Sequence, residues 1–365
     1  MRIYDPVKVY FEKDCLIKYG NEIPGERILI LTGRHSSKAN GSLDELKKVL
    51  SGRELFVLDE VGANPTLSFV CDAAGRFRDK GIDCVIGLGG GSSIDAAKAV
   101  AVLLANDKDV DIEKLFYADR NAAHLPIVSI PTTCGSGSEV TPFSVITDER
   151  VGMKRTIFTQ LFACLAFADY KYLKTMPYKE CVSTCFDAMA HNIESYLSAN
   201  ANTFNRFNSV KGLHLFRDIK DCLVSKDAYA KTKDTEFEKM MGAALMGGYA
   251  ITVNTTTIPH GLANRVPHEL NIPHGLAVLM FIPGFMRQYD DQSAVSKLLE
   301  YMGFESMDSF EEYILEVTGP LEIPKTLWED ISSKMLSDTH KLKSYPYVLT
   351  KEKLDAYPCK LMKLV

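Results

Sequence analysis

The sequence predicts an α/β N-terminal domain built on a mostly parallel sheet, followed by an all-helical C-terminal domain. Two observations predict it. Short β-rich runs alternate with amphipathic segments through the first third, whereas from about Tyr178 the long segments 178–199, 204–223 and 235–252 show helical spacing with no convincing strand between them. The chain's 365 residues also exceed the ~250–300 at which one core stops growing, so two domains are expected.

Each element has its own signal. Arg27–Thr32 (RILILT) reads as a buried strand, and Ser42 with Glu45 forms a capping box that opens a helix through Leu43, Leu46 and Leu50. Glu54–Leu58 is a second strand. Pro65 begins a helix that Gly81 ends, Ile82–Leu88 is a third strand, a helix starts at Ser92, and Pro126–Ile130 is a further strand. This rhythm means a sheet covered by helices, with ligands expected beyond the carboxyl ends of the strands. The shift of period, together with Pro177, places the boundary within 172–178 and divides the chain into residues 1–175 and 176–365.

Composition removes several function classes. Hydrophobic residues make up 46% and charged residues 24%, which excludes collagen-like and disordered chains. Lys plus Arg total 42 against 47 Asp plus Glu, a net charge of −5 with no long block of one sign, so neither nucleic acid nor an anionic membrane is an expected partner. The opening MRIYDPVKVYFEKDC has no h-region, and no apolar run approaches the ~18 residues of a spanning helix. A cytoplasmic protein is expected. The nine Cys are odd in number and scattered, which suits reduced thiols rather than a disulfide framework.

Three constellations carry chemistry. The stretch 83–98 (DCVIGLGGGSSIDAAK) is a strand, a glycine turn and a helix start. Gly89, Gly90 and Gly91 let the backbone approach a ligand, and the free N–H groups at the helix end suit a diphosphate. It is neither the Walker pattern nor a full dinucleotide fingerprint, because Ser92 stands where the last glycine would be. The plain alternative is a tight turn capped by Ser92 and Asp95. Residues 131–141 (PTTCGSGSEVT) offer five hydroxyls and two glycines directly after a strand, where ribose or phosphate groups are held by side-chain and backbone donors.

The third constellation is metal-like. Asp187 and His191 are four residues apart in a helical segment and share one face, a spacing that also serves a plain Asp–His hydrogen bond. The repeated Ile-Pro-His-Gly-Leu-Ala at 258–263 and 272–277 then presents His260 and His274 in the same local geometry. Together the four would make a mixed carboxylate–imidazole set suited to Fe²⁺, Zn²⁺ or a similar divalent ion, with a position open for substrate. Cys181 and Cys185 are read as small buried hydrophobes rather than ligands.

GGGSSIDAAK at 89–98, PTTCGSGSEVT at 131–141, DAMAH at 187–191 and HGLA…PHGLA at 260–277, in this order, resemble the iron-containing (group III) alcohol dehydrogenase family over nearly the whole length. The resemblance implies a Rossmann-like dinucleotide domain, residues 1–175, and a metal-binding catalytic domain, residues 176–365. It implies Asp187, His191, His260 and His274 as metal ligands, and Gly89, Gly90, Gly91, Ser92, Thr132, Thr133 and Ser138 as nicotinamide-cofactor contacts, with Lys154 a further candidate and Asp95 beside them. The implied reaction is hydride transfer between NAD(P) and a primary alcohol or aldehyde, by a homodimer. A glycerol dehydrogenase or a dehydroquinate-synthase-like enzyme of the same fold is the alternative.

The chain departs from the family at Cys185 and Tyr170, where Gly and Pro are usual, and at Asn264, where a His often stands four residues after the third ligand. The alcohol's proton is then expected to leave by another route, either metal-bound water and the cofactor ribose or His268. After the first strand, NAD-preferring members tend to carry an Asp where Gly33 stands. Its absence, with Ser36, Arg34 and Lys38 as donors, predicts NADP(H) over NAD(H).

Overall fold

The computed structural model describes residues 4–267 and 270–365, so the expectation for His268 lies outside the described residues. The chain forms two compact units, one ending at Met176 and the other running from Pro177 to Val365.

The first unit is built on six parallel strands: β1 (Lys8–Tyr10), β2 (Arg27–Thr32), β3 (Glu54–Leu58), β4 (Cys84–Gly89), β5 (Ile127–Pro131) and, after a hairpin of β6 (Val145–Asp148) with β7 (Met153–Thr156), β8 (Leu165–Phe167). Their order across the sheet is β1-β8-β5-β4-β2-β3, with Leu29 opposite Val85 and Val85 opposite Ile127. Side chains alternate between faces, and both faces are covered. Leu29, Leu31 and Val85 pack with Ala97 and Val100 of the Gly91–Ala105 helix, while Ile28, Ile30, Ile86 and Val128 pack with Leu16, Leu43 and Leu46.

One local expectation fails here, and two strands arise with no local signal, for a common reason. Ser42 does not cap its helix; Gly41 does so in the left-handed region (φ 78°), and Ser42 Oγ donates to the Ser37 carbonyl at 3.3 Å. Glu45 is taken instead by Lys171 Nζ at 2.8 Å and the Tyr172 hydroxyl at 2.5 Å. A charge-assisted pair contributed by a distant turn outcompetes one neutral N-cap amide. Likewise β1 and β8, three residues each, carry too short a pattern to read and exist through pairing with each other, Lys8 opposite Leu165.

The second unit is helix-rich. Tyr178–Leu197, Thr203–Ile219, Asp234–Asn254 and His274–Arg287 bury Phe186, Ile193, Phe216, Met241, Phe281 and Phe285 between them. Its expected all-helical character has one addition, a parallel pair of β9 (Leu321–Ile323) with β10 (Met362–Leu364), again three residues each. Among the described residues, no helix is long and apolar enough to cross a membrane.

Candidate cofactor turns and metal centre

In the first unit, β4 runs straight into the glycine turn. Gly90, in extended conformation, precedes the first helical residue, Gly91, and no side chain caps the helix. The plain alternative, a turn capped by Ser92 and Asp95, is not what forms. Ser92 Oγ accepts from Asn64 N at 3.3 Å, while the Asp95 carboxylate accepts from Ser138 Oγ at 2.5 Å and from Val145 N at 3.0 Å. The uncapped helix end leaves its first amides for an anion. Asp95 braces Ser138 rather than offering a free acceptor, and the charge of Lys154, on β7, acts on Asp95.

The 132–141 loop lies against this turn. A Cβ at Gly90 would stand 3.3 Å from Thr133 Oγ1, and one at Gly91 would stand 2.7 Å from Ser136 Oγ, so the two predicted motifs form one surface. Thr132 is buried, and its Oγ1 has no hydrogen-bond partner. Gly33 and Ser36 stand apart from the glycine turn in sequence, at the end of β2. Ser36 and Arg34 are exposed, but Lys38 is ion-paired with Asp59, which corrects its reading as a free phosphate donor.

Lys98 and Glu139 were not singled out, although both stand within the motifs. Lys98 is fully buried and donates to the carbonyls of Ser138, Thr141 and Phe143 at 2.8, 2.7 and 2.8 Å. Burial pulls its ammonium down to about 8, opposed by the charges of Asp95 and Glu139, and burial pushes the Glu139 carboxyl up to about 7. Lys98 therefore sets the loop's shape. Lys98→Met, which strands three buried carbonyls, is expected to destabilise the protein by ~2–4 kcal/mol in denaturant unfolding and to weaken cofactor binding. Unchanged stability would refute that role.

In the second unit, the Tyr178–Leu197 helix carries Asp187 and His191 on one face, and the short Ile258–Ala263 helix and the His274–Arg287 helix bring in the others. Asp187 Oδ1 lies 3.9 Å from His191 Nε2, 3.4 Å from His260 Nε2 and 3.9 Å from His274 Nε2. The His191 and His260 rings stack at 4.6 Å. Gly275 allows this approach, since a Cβ there would fall 1.9 Å from the Ser183 carbonyl oxygen. Asp187, His191 and His260 are buried, and the His274 side chain is 36% exposed.

The electrostatics favour a cation. Burial pushes the Asp187 carboxyl up, yet the surrounding imidazoles, His191 foremost, hold it well below the usual carboxylate range. Its Oδ1 and His260 Nε2 are buried without hydrogen-bond partners, an arrangement that a divalent ion would satisfy. The donor set, one carboxylate and three imidazoles, fits Fe²⁺ or Zn²⁺.

Glu194 was missed. It is fully buried on the same helix, accepts Nδ1–H of His260 on Oε1, and on Oε2 accepts from Thr257 N at 2.6 Å and Thr257 Oγ1 at 2.9 Å. This directs His260 Nε2 at Asp187. Its place seven residues after Asp187 and three after His191 was the available signal. Cys181 and Cys185 are buried, with Cys181 Sγ 3.7 Å from Met240 Sδ. Asn264 follows the Ile258–Ala263 helix in helical conformation (φ −65°, ψ −12°), its N donating to the His260 carbonyl at 2.9 Å, so position 264 lies one helical turn after His260.

Comparison with known proteins finds the same family in each unit. The family model "Iron-containing alcohol dehydrogenase" matches residues 6–170, and "Fe-containing alcohol dehydrogenase family, C-terminal" matches 181–329. The bifunctional aldehyde-alcohol dehydrogenase of Escherichia coli K12 is 30% identical over 77% of this chain, which spans only 33% of that protein's length. An NADPH-dependent butanol dehydrogenase from Clostridium saccharobutylicum is 28% identical, covering 90% of this chain and 86% of that one. A solved iron-containing alcohol dehydrogenase from Thermotoga maritima is 34% identical with a TM-score of 0.89, covering 99% of each chain.

Proposed function

Because the chain belongs to the iron-containing alcohol dehydrogenase family, we propose that it transfers a hydride between NADP(H) and a primary alcohol, aldehyde or small diol. Residues 1–175 carry the dinucleotide, and residues 176–365 carry the metal and the catalysis. The observation that carries this reading is the convergence of three histidines on the buried Asp187 carboxylate. We place the enzyme in the cytoplasm, where its nine free cysteines stay reduced, and as a homodimer by family resemblance.

Asp187, His191, His260 and His274 would hold Fe²⁺, or Zn²⁺ in its place. When bound, the ion supplies Lewis acidity toward the substrate oxygen, and the nicotinamide ring accepts or returns the hydride. The chain's own groups do the rest. The uncapped Gly91 helix end receives the diphosphate, Ser92, Thr132, Thr133 and Ser138 supply hydroxyls, and Lys154 supplies a nearby cation. The turn at Gly33 and Ser36 receives the 2′-phosphate, supported by the exposed Ser36 and Arg34 and by the NADPH-dependent butanol dehydrogenase among the relatives. Glu194 keeps a proton on His260 Nδ1 and leaves Nε2 as a donor to the ion.

Incubating the protein with a primary alcohol and oxidised cofactor, and following reduced-nicotinamide absorbance alongside elemental metal analysis, tests the reading. No turnover by metal-replete protein across an alcohol and aldehyde panel would overturn it.

Asn264 shapes the pH profile. An amide orients a hydroxyl but takes no proton, so the alcohol's proton leaves to solvent base. Alcohol oxidation is expected to rise toward alkaline pH, with aldehyde reduction less sensitive. Asn264→His should move the kcat/KM profile of oxidation toward neutral pH, since a general base contributes ~10²–10⁴-fold when its geometry permits. A profile that stays put in this variant would remove position 264 from the proton route.

A further inference from the structure

We infer that Lys341, which lies beyond the 181–329 stretch matched by the C-terminal family model, positions His260 by clamping the turn that precedes it. This rests on the reading of His260 as a metal ligand. The turn is unusual. Thr255 has φ 59° and ψ 179°, a region nearly confined to glycine, and it sits between the Asp234–Asn254 helix and the Ile258–Ala263 helix that bears His260. Such a backbone persists only where its surroundings over-determine it.

Three side chains do so here. Asn254 Nδ2 donates to the Ser195 carbonyl at 2.9 Å, Glu194 takes both donors of Thr257, and Lys341 Nζ donates to Thr256 O at 3.0 Å and to Thr256 Oγ1 at 2.6 Å. The same Glu194 carboxylate that holds Thr257 also accepts from His260, so the position of the turn and the direction of the imidazole are one variable.

Lys341 reaches this point from a separate short helix, Thr339–Leu342. Its stem crosses Gly261, where a Cβ would stand 3.1 Å from Lys341 Cγ. A second tie fixes the approach. Asp338 caps Lys341 N at 2.9 Å and accepts from Arg265 Nη2 at 2.6 Å, and Arg265 Nη1 donates back to the Gly261 carbonyl at 2.5 Å. Burial lowers the affinity of Lys341 for its proton, opposed by the charges of Glu194 and Asp338. The half-buried Lys341 thus brings a positive charge whose field acts on the carboxylate that orients His260. Without it, Thr256 Oγ1 loses its donor, Thr256 O keeps only the longer bonds from Ser344 Oγ (3.5 Å) and Thr255 Oγ1 (3.4 Å), the strained turn is free to relax, and Glu194 loses a compensating charge.

Co²⁺ affinity of the metal-free full-length protein, measured by chelator competition with the visible Co²⁺ spectrum as a second readout, tests this. Lys341→Met is expected to weaken Co²⁺ binding about 10- to 100-fold, in line with loss of an outer partner of a ligand. Lys341→Arg should restore most of it. Thr255→Gly added to Lys341→Met should recover part of the loss, because glycine holds that backbone without a clamp. A general packing role would not respond in this way. If Lys341→Met does not fold, Thr256→Val, which removes one hydrogen bond and no charge, carries the test with a smaller expected weakening. Wild-type Co²⁺ affinity and spectrum in Lys341→Met, or in Thr256→Val where Lys341→Met does not fold, would overturn the inference. A wild-type protein that takes up no Co²⁺ would instead overturn the metal reading beneath it.

Discussion

Asp187→Ala is expected to bind cofactor as wild type does, to retain no metal, and to turn over alcohol at least about 10³-fold more slowly, since Lewis-acid stabilisation of a developing alkoxide is worth several kcal/mol and ~4 kcal/mol corresponds to that factor. The reasoning is electrostatic. Among the described residues, Asp187 is the one carboxylate with an oxygen, Oδ1, within 3.9 Å of an Nε2 of each of His191, His260 and His274. Removing it leaves three imidazoles with no facing carboxylate to balance a bound cation, with Glu194 committed to the far side of His260. His274→Ala should behave similarly, although its partial exposure makes it the more easily replaced by water. Cofactor affinity is spared because the glycine turn and the 132–141 loop belong to the other unit. Elemental analysis with cofactor fluorescence titration checks both halves, and a full metal complement in either variant would remove that residue from the ligand set.

Gly33→Asp is expected to reverse cofactor preference, changing the ratio of kcat/KM for NADP⁺ to that for NAD⁺ by at least about 10²-fold, or ~3 kcal/mol, because like charges brought together at a binding surface cost several kcal/mol. The substitution is sterically open. A Cβ at position 33 meets only Val61 O at 3.6 Å and Ser36 Oγ at 3.9 Å, both ordinary contacts. A new carboxylate there accepts a ribose 2′-hydroxyl and repels a 2′-phosphate. Asp59 does not already play that part, because its charge is matched by Lys38. A wild type that prefers NAD⁺, or a variant with an unchanged ratio, would count against the reading of this turn.

The metal set was legible because its signals are local. Asp187 and His191 share a helical face by spacing, and the repeated Pro-His-Gly announces His260 and His274 as a pair. Two strands were legible for the same reason. RILILT is a buried run that fills both faces of a parallel sheet, ELFVL lies at the sheet edge with Leu58 its buried residue, and they form β2 and β3 with the expected ends.

What the sequence determined by itself, then, were the elements whose own residues supply the free energy: continuous apolar strands, helices of 3.6-residue period, glycine turns and ligands carried at helical spacing. Tertiary structure decided everything whose energy comes from a remote partner. Glu45 left its capping box for Lys171 and Tyr172; β1 and β8, three residues each, are strands only because they pair; and Lys341 meets Thr256 across 85 residues of chain. A charge-assisted bond or a ladder of backbone bonds outweighs the weak local preference of a few residues, and no periodicity in the chain encodes which distant group will arrive to make it.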